Sequence, residues 1–232
     1  MINLRPAEAR GTANHGWLDT RHTFSFADYY DPAHMGFRAL RVINEDIILP
    51  STGFDTHGHR DMEVISYPVS GALAHRDSTG ATSIIRAGQV QRMTAGRGIR
   101  HSEHNASDTQ SAHFLQIWIV PDRKGHDPGY EQKDFPRAQF LGRCGLIASP
   151  DGAQGSLTIH QDVRLYGLLL ESGQETTHLL APQRHAWVQV VSGRVNLLGL
   201  ELKAGDGVAI SEEAELHFFT STATELLLFD LA

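Results

Sequence analysis

Apolar and polar positions alternate over short runs along this chain, and glycine or proline ends nearly every run. Thr23-Phe24-Ser25-Phe26 alternates and predicts a short strand, followed by a turn at Asp31-Pro32. From Phe37 the run FRALRVINEDIIL predicts a longer strand, which Pro50, Ser51, Thr52 and Gly53 break. Glycines at 71, 80, 88 and 96 then punctuate the pattern every 8 or 9 residues. That spacing is typical of short antiparallel strands joined by tight turns in a sandwich or barrel. SAHFLQIWIVP, residues 111–121, predicts another strong strand. Residues 122–140 carry Gly, Pro and charge with little periodicity, and read as a linker with at most one helical turn. Strand-like runs resume after it and continue to the C-terminus. No stretch sustains a 3.6-residue period, so the expectation is an all-β chain with few short helices.

The two halves resemble a diverged repeat. YPVSG at 67–71 is similar to QVVSG at 189–193, each glycine lying between two apolar runs. Aligning Gly71 with Gly193 sets His57 on Leu179 and His59 on Ala181. Aligning Gly88 with Gly205 sets His101 on Phe218 and Glu103 on Thr220. The expected domains are residues 1–138, linker included, and 139–232.

Composition narrows the function. At 232 residues, 41% hydrophobic and 20% charged, the chain can bury a core in each half. A net charge of −7 without a basic run argues against nucleic-acid binding through phosphate neutralisation. The single cysteine, Cys144, excludes an internal disulfide and a cysteine metal cluster, and points to a reducing, cytoplasmic compartment. No 18-residue apolar run and no leader-like apolar segment occurs, so neither a membrane span nor a signal peptide is expected.

The chemistry concentrates in His57-Gly58-His59 and His101-Ser102-Glu103. On a strand, residues i and i+2 point to one face. If the two strands are neighbours, three imidazoles and a carboxylate converge on one point, a mixed N/O set suited to a divalent transition ion. Glu63 is a second candidate carboxylate, because strand parity places 57, 59 and 63 on one face. His75, His104 and His113 read as surface or hydrogen-bonded histidines, and Asn105 as a turn residue. Arg97 and Arg100 fit an exposed loop. Phe24, Phe26, Phe37 and Met93 fit the core, with a planar aromatic ligand as the other use for them. His178 and His217 lack a ligand at i+2.

These motifs resemble the cupin superfamily. Gly53, His57, His59, Glu63 and Gly71 follow its first motif, with fewer residues between Gly53 and His57 than the general pattern has. Gly88, Gly96, His101 and Asn105 follow its second, with Thr94 in place of a proline and a longer gap from Gly96 to His101. AGRGIRHSE, HTFSFADYYDP and GFRALRVIN together resemble the pirin family, which covers nearly the whole chain. The resemblance implies a bicupin of two antiparallel, jelly-roll-like β-barrels, the first metal-binding and the second metal-free. It implies His57, His59, His101 and Glu103 as ligands to one divalent transition ion, with Fe2+ favoured among Fe, Zn, Co, Mn, Ni and Cu; a metal-bound carboxylate facing an open coordination position is within reach of a substrate proton, which makes Glu103 the candidate catalytic base. It implies opening of a flavonol ring by O2 on a small planar aromatic substrate. Its alternative is a metal-responsive regulator that binds a protein partner.

Overall fold

The computed structural model describes residues 1–232. Strands dominate, and the helical pieces are three single 3-10 turns. No helix is long and apolar enough to cross a membrane.

The chain divides into two compact units that interleave in sequence. The first comprises Gly11–Phe135 with Leu157–Gln161; the second comprises Met1–Arg10, Pro136–Ser156 and Asp162–Ala232. Hydrogen bonding explains why a single division after residue 138 does not describe this arrangement. Ile2–Arg5 pairs antiparallel with Gly207–Ser211, which commits the N-terminal strand to the second unit. Leu157–Gln161 returns to the first unit, where the Thr158 N–H donates to Glu131 Oε2 at 2.9 Å and its carbonyl accepts from Arg92 Nε at 2.7 Å.

In the first unit a 7-stranded sheet faces a 4-stranded one. The larger runs Gly129–Asp134, Gln89–Thr94, Glu63–Ser70, Ala112–Ile119, Leu40–Ile48, Leu18–His22, Gly11–Asn14. The smaller runs Gly53–His59, Ile99–Asn105, Ala72–Asp77, Thr82–Arg86. Leu18, Ile48 and Phe114 from the larger sheet pack on Leu73 and Ile85 from the smaller. Burying each such side chain contributes roughly 1.5–3 kcal/mol. These contacts hold the two sheets as the walls of one barrel.

The second unit repeats the plan. Glu175–Leu179, Glu215–Phe219, Arg194–Leu197 and Leu200–Lys203 form its small sheet in an order that matches the first unit's. Gly71 and Gly193, aligned on sequence, both take left-handed backbone, φ 74° and 80°. A Cβ on either would collide with backbone atoms of the adjacent strand, Ser111 O at 2.7 Å or Ala223 O at 2.3 Å. Only glycine fits both demands. The strand Glu215–Phe219 of the second barrel turns Leu216 and Phe218 into an apolar cluster, and Thr220, which the sequence alignment sets on Glu103, lies just past its end.

Two local expectations are corrected. Residues 23–26 are not a strand; the strand is Leu18–His22, and Phe26 only bridges Tyr29. The presumed linker contains the edge strand Gly129–Asp134, paired with Gln89–Thr94. GYEQKD lacks apolar alternation because an edge strand that is only half buried needs none.

Candidate metal centre

The strands Gly53–His59 and Ile99–Asn105 are neighbours, with His57 opposite His101 and His59 opposite Ile99. A bulge in the first strand shifts the register, so that Glu103 faces Phe54. The chain packs closely there: a Cβ on Gly53 would lie 2.4 Å from the Glu103 carbonyl oxygen.

The three imidazoles converge. Their ring centroids are 4.5 Å apart for His57–His101 and 4.8 Å for both His57–His59 and His59–His101. His57 Nδ1 lies 2.8 Å from the Asp55 carbonyl, which only accepts, so this nitrogen carries the proton. His57 Nε2 is left as a lone-pair donor, 3.0 Å from His101 Nε2. His59 Nε2 is buried without a hydrogen-bond partner. Burial, then the neighbouring imidazoles, pushes His59 down to about 4 and His101 down to about 3. Both are therefore neutral at pH 7, the state that binds a metal.

Glu103 is fully buried one step further in. Its Oε1 accepts from Ser66 Oγ at 3.0 Å and Gln91 Nε2 at 3.2 Å; Oε2 accepts from Gln116 Nε2 at 2.8 Å. Gln116 is itself oriented by Trp118, whose indole N–H donates to Gln116 Oε1 at 3.1 Å. Asn44, Gln116, Ser66 and Gln91 stand in register across four strands as a buried polar row. These partners were not singled out from the sequence. Their signal was a polar residue at an inward position of a strongly apolar strand, as Gln116 is in AHFLQIWI.

Ligand-bearing atoms of His57, His59 and His101 lie within 4.8 Å of one another, and so do those of His75, His101 and Glu103. His101 belongs to both groups. His75 is buried and donates from Nε2 to Asp77 Oδ2 at 2.9 Å, with its ring 5.3 Å from His101. Burial works to raise Asp77, but its bonds from His75 and Thr79 hold the carboxyl below its ordinary range.

Glu63 lies elsewhere. Residues 60–62 break the chain between two strands that belong to different sheets, so parity from His59 does not carry over. Glu63 occupies the face of its strand opposite Ser66 and meets Thr94 Oγ1 at 3.0 Å, His160 Nδ1 at 3.2 Å and Arg92 Nε at 3.9 Å. Burial raises its carboxyl pKa, with Arg92 and His160 opposing.

The other candidates fall into structural places. His104 and His113 pair with Asp55 and Glu45, and Arg97 with Asp127. Asn105 Nδ2 donates to the carbonyls of Ile48, Leu49 and Gln110. Phe24 and Met93 are core, whereas Phe26 lines a cavity. His178 faces Asp230 and His217 faces Glu175. Burial pushes the Cys144 thiol up to about 12, which leaves it unreactive.

His57 and His59 open onto a cavity of about 660 Å³. Trp17, Phe26, Tyr29, Phe54 and Trp118 supply aromatic walls. Trp118 meets His59 edge-on at 4.9 Å and Phe26 at 5.3 Å.

Comparison with known proteins identifies the family. The pirin family profile matches residues 3–119. A profile described as the quercetinase C-terminal cupin domain matches residues 146–231. The chain belongs to the pirin family. Among its pirin relatives, a protein of Escherichia coli K12 named quercetin 2,3-dioxygenase is 48% identical over 100% of this chain and 99% of the relative. A pirin-like protein of Caulobacter vibrioides is 41% identical over 100% of both chains. The crystal structure of the bacterial pirin YhhW from Escherichia coli in complex with nickel(II) superposes with a TM-score of 0.95, at 47% identity, over 100% of this chain and 99% of that one.

The metal-free protein should lose stability as pH falls. His59 and His101 have folded pKa values well below 6.5, so below about pH 6.5 the unfolded chain binds more protons than the folded one. Their contribution is complete above about pH 6.5 and declines down to about pH 3–4. Denaturant midpoints of the chelator-treated protein should therefore fall steadily between about pH 7 and pH 4. A flat profile would contradict buried neutral imidazoles.

Proposed function

We propose that this pirin is a metal-dependent dioxygenase that opens the ring of a flavonol such as quercetin with O2, with His57, His59, His101 and Glu103 as ligands to one divalent transition ion. The observation that carries the reading is the convergence of three imidazole rings beside an aromatic-walled cavity. Nε2 of His57 and Nε2 of His101 lie 3.0 Å apart and the buried His59 Nε2 has no partner, so one small cation could reach all three rings. Glu103 strengthens the case. Its hydrogen-bond partners are neutral, and a buried carboxylate without a cation is costly. Nitrogen and oxygen donors suit iron, nickel, cobalt, manganese, copper or zinc, and a relative is known with nickel(II) bound. The Escherichia coli relative named quercetin 2,3-dioxygenase supports the substrate class.

A divalent ion bound there would supply Lewis acidity that favours the ionised form of a flavonol hydroxyl. The protein supplies the rest. The aromatic walls hold a planar molecule and keep water out. Both lone pairs of Glu103 Oε1 are taken by Ser66 and Gln91, whereas Oε2 receives only Gln116. Oε2 is therefore the atom of Glu103 with a lone pair left for a metal ion or, in its place, a proton.

Oxygen uptake with quercetin tests the proposal. Metal-loaded protein should consume O2, chelated protein should not, and reloading should restore uptake. Absence of uptake with every ion of the set would favour the metal-responsive binding role.

A further inference from the structure

One side of the cavity is not aromatic. Thr20 and His22 on the Leu18–His22 strand lie opposite Asp46 and Asn44 on the Leu40–Ile48 strand, and all four line the cavity. The His22–Asn44 rung is closed on itself, Nδ1 to Oδ1 at 2.9 Å. The Thr20–Asp46 rung is not. Thr20 is 3% exposed and its Oγ1 has no hydrogen-bond partner of normal geometry, although its hydroxyl lies near enough to Asp46 to favour the charged form there. Asp46 is also 3% exposed, and His113, whose charge would favour its ionised form, pairs with Glu45. Burial pushes its carboxyl up to about 7, with the Thr20 hydroxyl opposing and Glu103 adding to the rise.

Two buried polar groups side by side, facing a cavity and incompletely satisfied by the protein, are expensive as structure alone. Core packing would favour Val and Leu there, as at the next rung, where Leu18 faces Ile48. The arrangement becomes favourable when a ligand brings hydroxyl groups to it. A phenolic O–H donates to the Asp46 carboxylate, and its oxygen accepts from the Thr20 hydroxyl. An apolar or amino-bearing ligand satisfies at most one of the two.

We infer that Thr20 and Asp46 form the hydroxyl-recognition subsite of the cavity, which selects planar aromatic ligands that carry phenolic hydroxyls beyond the one at the reacting ring. This rests on the reading of the cavity as the substrate site, but it concerns binding and not turnover.

The test is anaerobic titration calorimetry of metal-loaded protein with two probes. Quercetin carries the additional hydroxyls; 3-hydroxyflavone keeps only the hydroxyl at the reacting ring. Wild type should bind quercetin at least about tenfold more tightly, because a site built for hydroxyls rejects a ligand that lacks them. Asp46→Asn should weaken quercetin binding by roughly 10–100-fold, the loss of a hydrogen bond to a charged group. Thr20→Val, which keeps the side-chain shape, should weaken it by roughly 2–10-fold. Both variants should leave the affinity for 3-hydroxyflavone within about twofold, so that the ratio of the two affinities collapses. Equal weakening of both probes, no change in either, or a wild type that does not discriminate would overturn the subsite. Discrimination without any oxygen uptake would overturn the dioxygenase reading and leave the subsite standing.

Discussion

A His101→Ala variant is expected to lose its metal. His101 is the one side chain shared by both clusters of ligand-bearing groups, and it is 1% exposed, so no solvent-exposed residue can take its place. Its removal leaves His57 and His59, two of the proposed ligands, on one strand, with nothing on the neighbouring strand to close the site from that side except Glu103. Changes to groups that merely support a ligand lower metal affinity about 10–100-fold, and loss of a ligand should exceed that. Elemental analysis after dialysis against a weak chelator should show metal falling from about one per chain to below about one-tenth, with oxygen uptake lost in parallel. The fold should survive. His101 Nδ1 and the crowded Nε2 pair contribute little to the metal-free barrel, and the sheets are held by Leu18, Ile48, Leu73, Ile85 and Phe114. Far-ultraviolet circular dichroism should therefore match that of wild type. Retention of a full metal complement would refute the ligand set.

A Glu103→Gln variant is expected to keep part of its metal and lose turnover by roughly 10²–10⁴-fold, the range for removal of a general base. The three histidines remain to hold the ion. The hydrogen-bond row adds a second consequence. The Gln oxygen can replace Oε1, which takes two donors, but its NH2 then points at the Gln116 NH2. Gln116 cannot simply turn over, because Trp118 Nε1 already occupies its oxygen. One buried donor is left unpaired, which costs about 1–3 kcal/mol. Denaturation of the metal-free variant should show this loss, and Gln116→Glu in the same background should recover part of it by supplying an acceptor. Full oxygen uptake by Glu103→Gln would remove Glu103 from the chemistry.

Much of the site was legible in the chain because strand geometry is local. His-x-His and His-x-Glu must each present two side chains to one face if they lie on strands, and regular glycines argue that they do. Parity misled at Glu63, since residues 60–62 carry the chain from one sheet to the other and the period restarts. It also gave no means of finding Thr20, Asp46, Ser66, Gln91 and Gln116. Each is an ordinary polar residue in its own strand, and its meaning comes from what stands across the sheet or across the barrel.

By itself, then, the sequence determined that this protein is all-β, that its halves repeat one plan, and that one pair of strands carries metal-type donors that the other half lacks at the aligned positions. Those properties follow from side-chain period, turn residues and identity, all of which are fixed within a few neighbours. Only the tertiary structure decided which carboxylate lies beside His101, which nitrogen of His57 is free to donate, which strand the N-terminus joins, and which polar groups face the cavity. These depend on register and on contacts between residues far apart in the chain, such as Gln116 with Glu103 or Thr20 with Asp46, and register is set by the packing of the whole barrel.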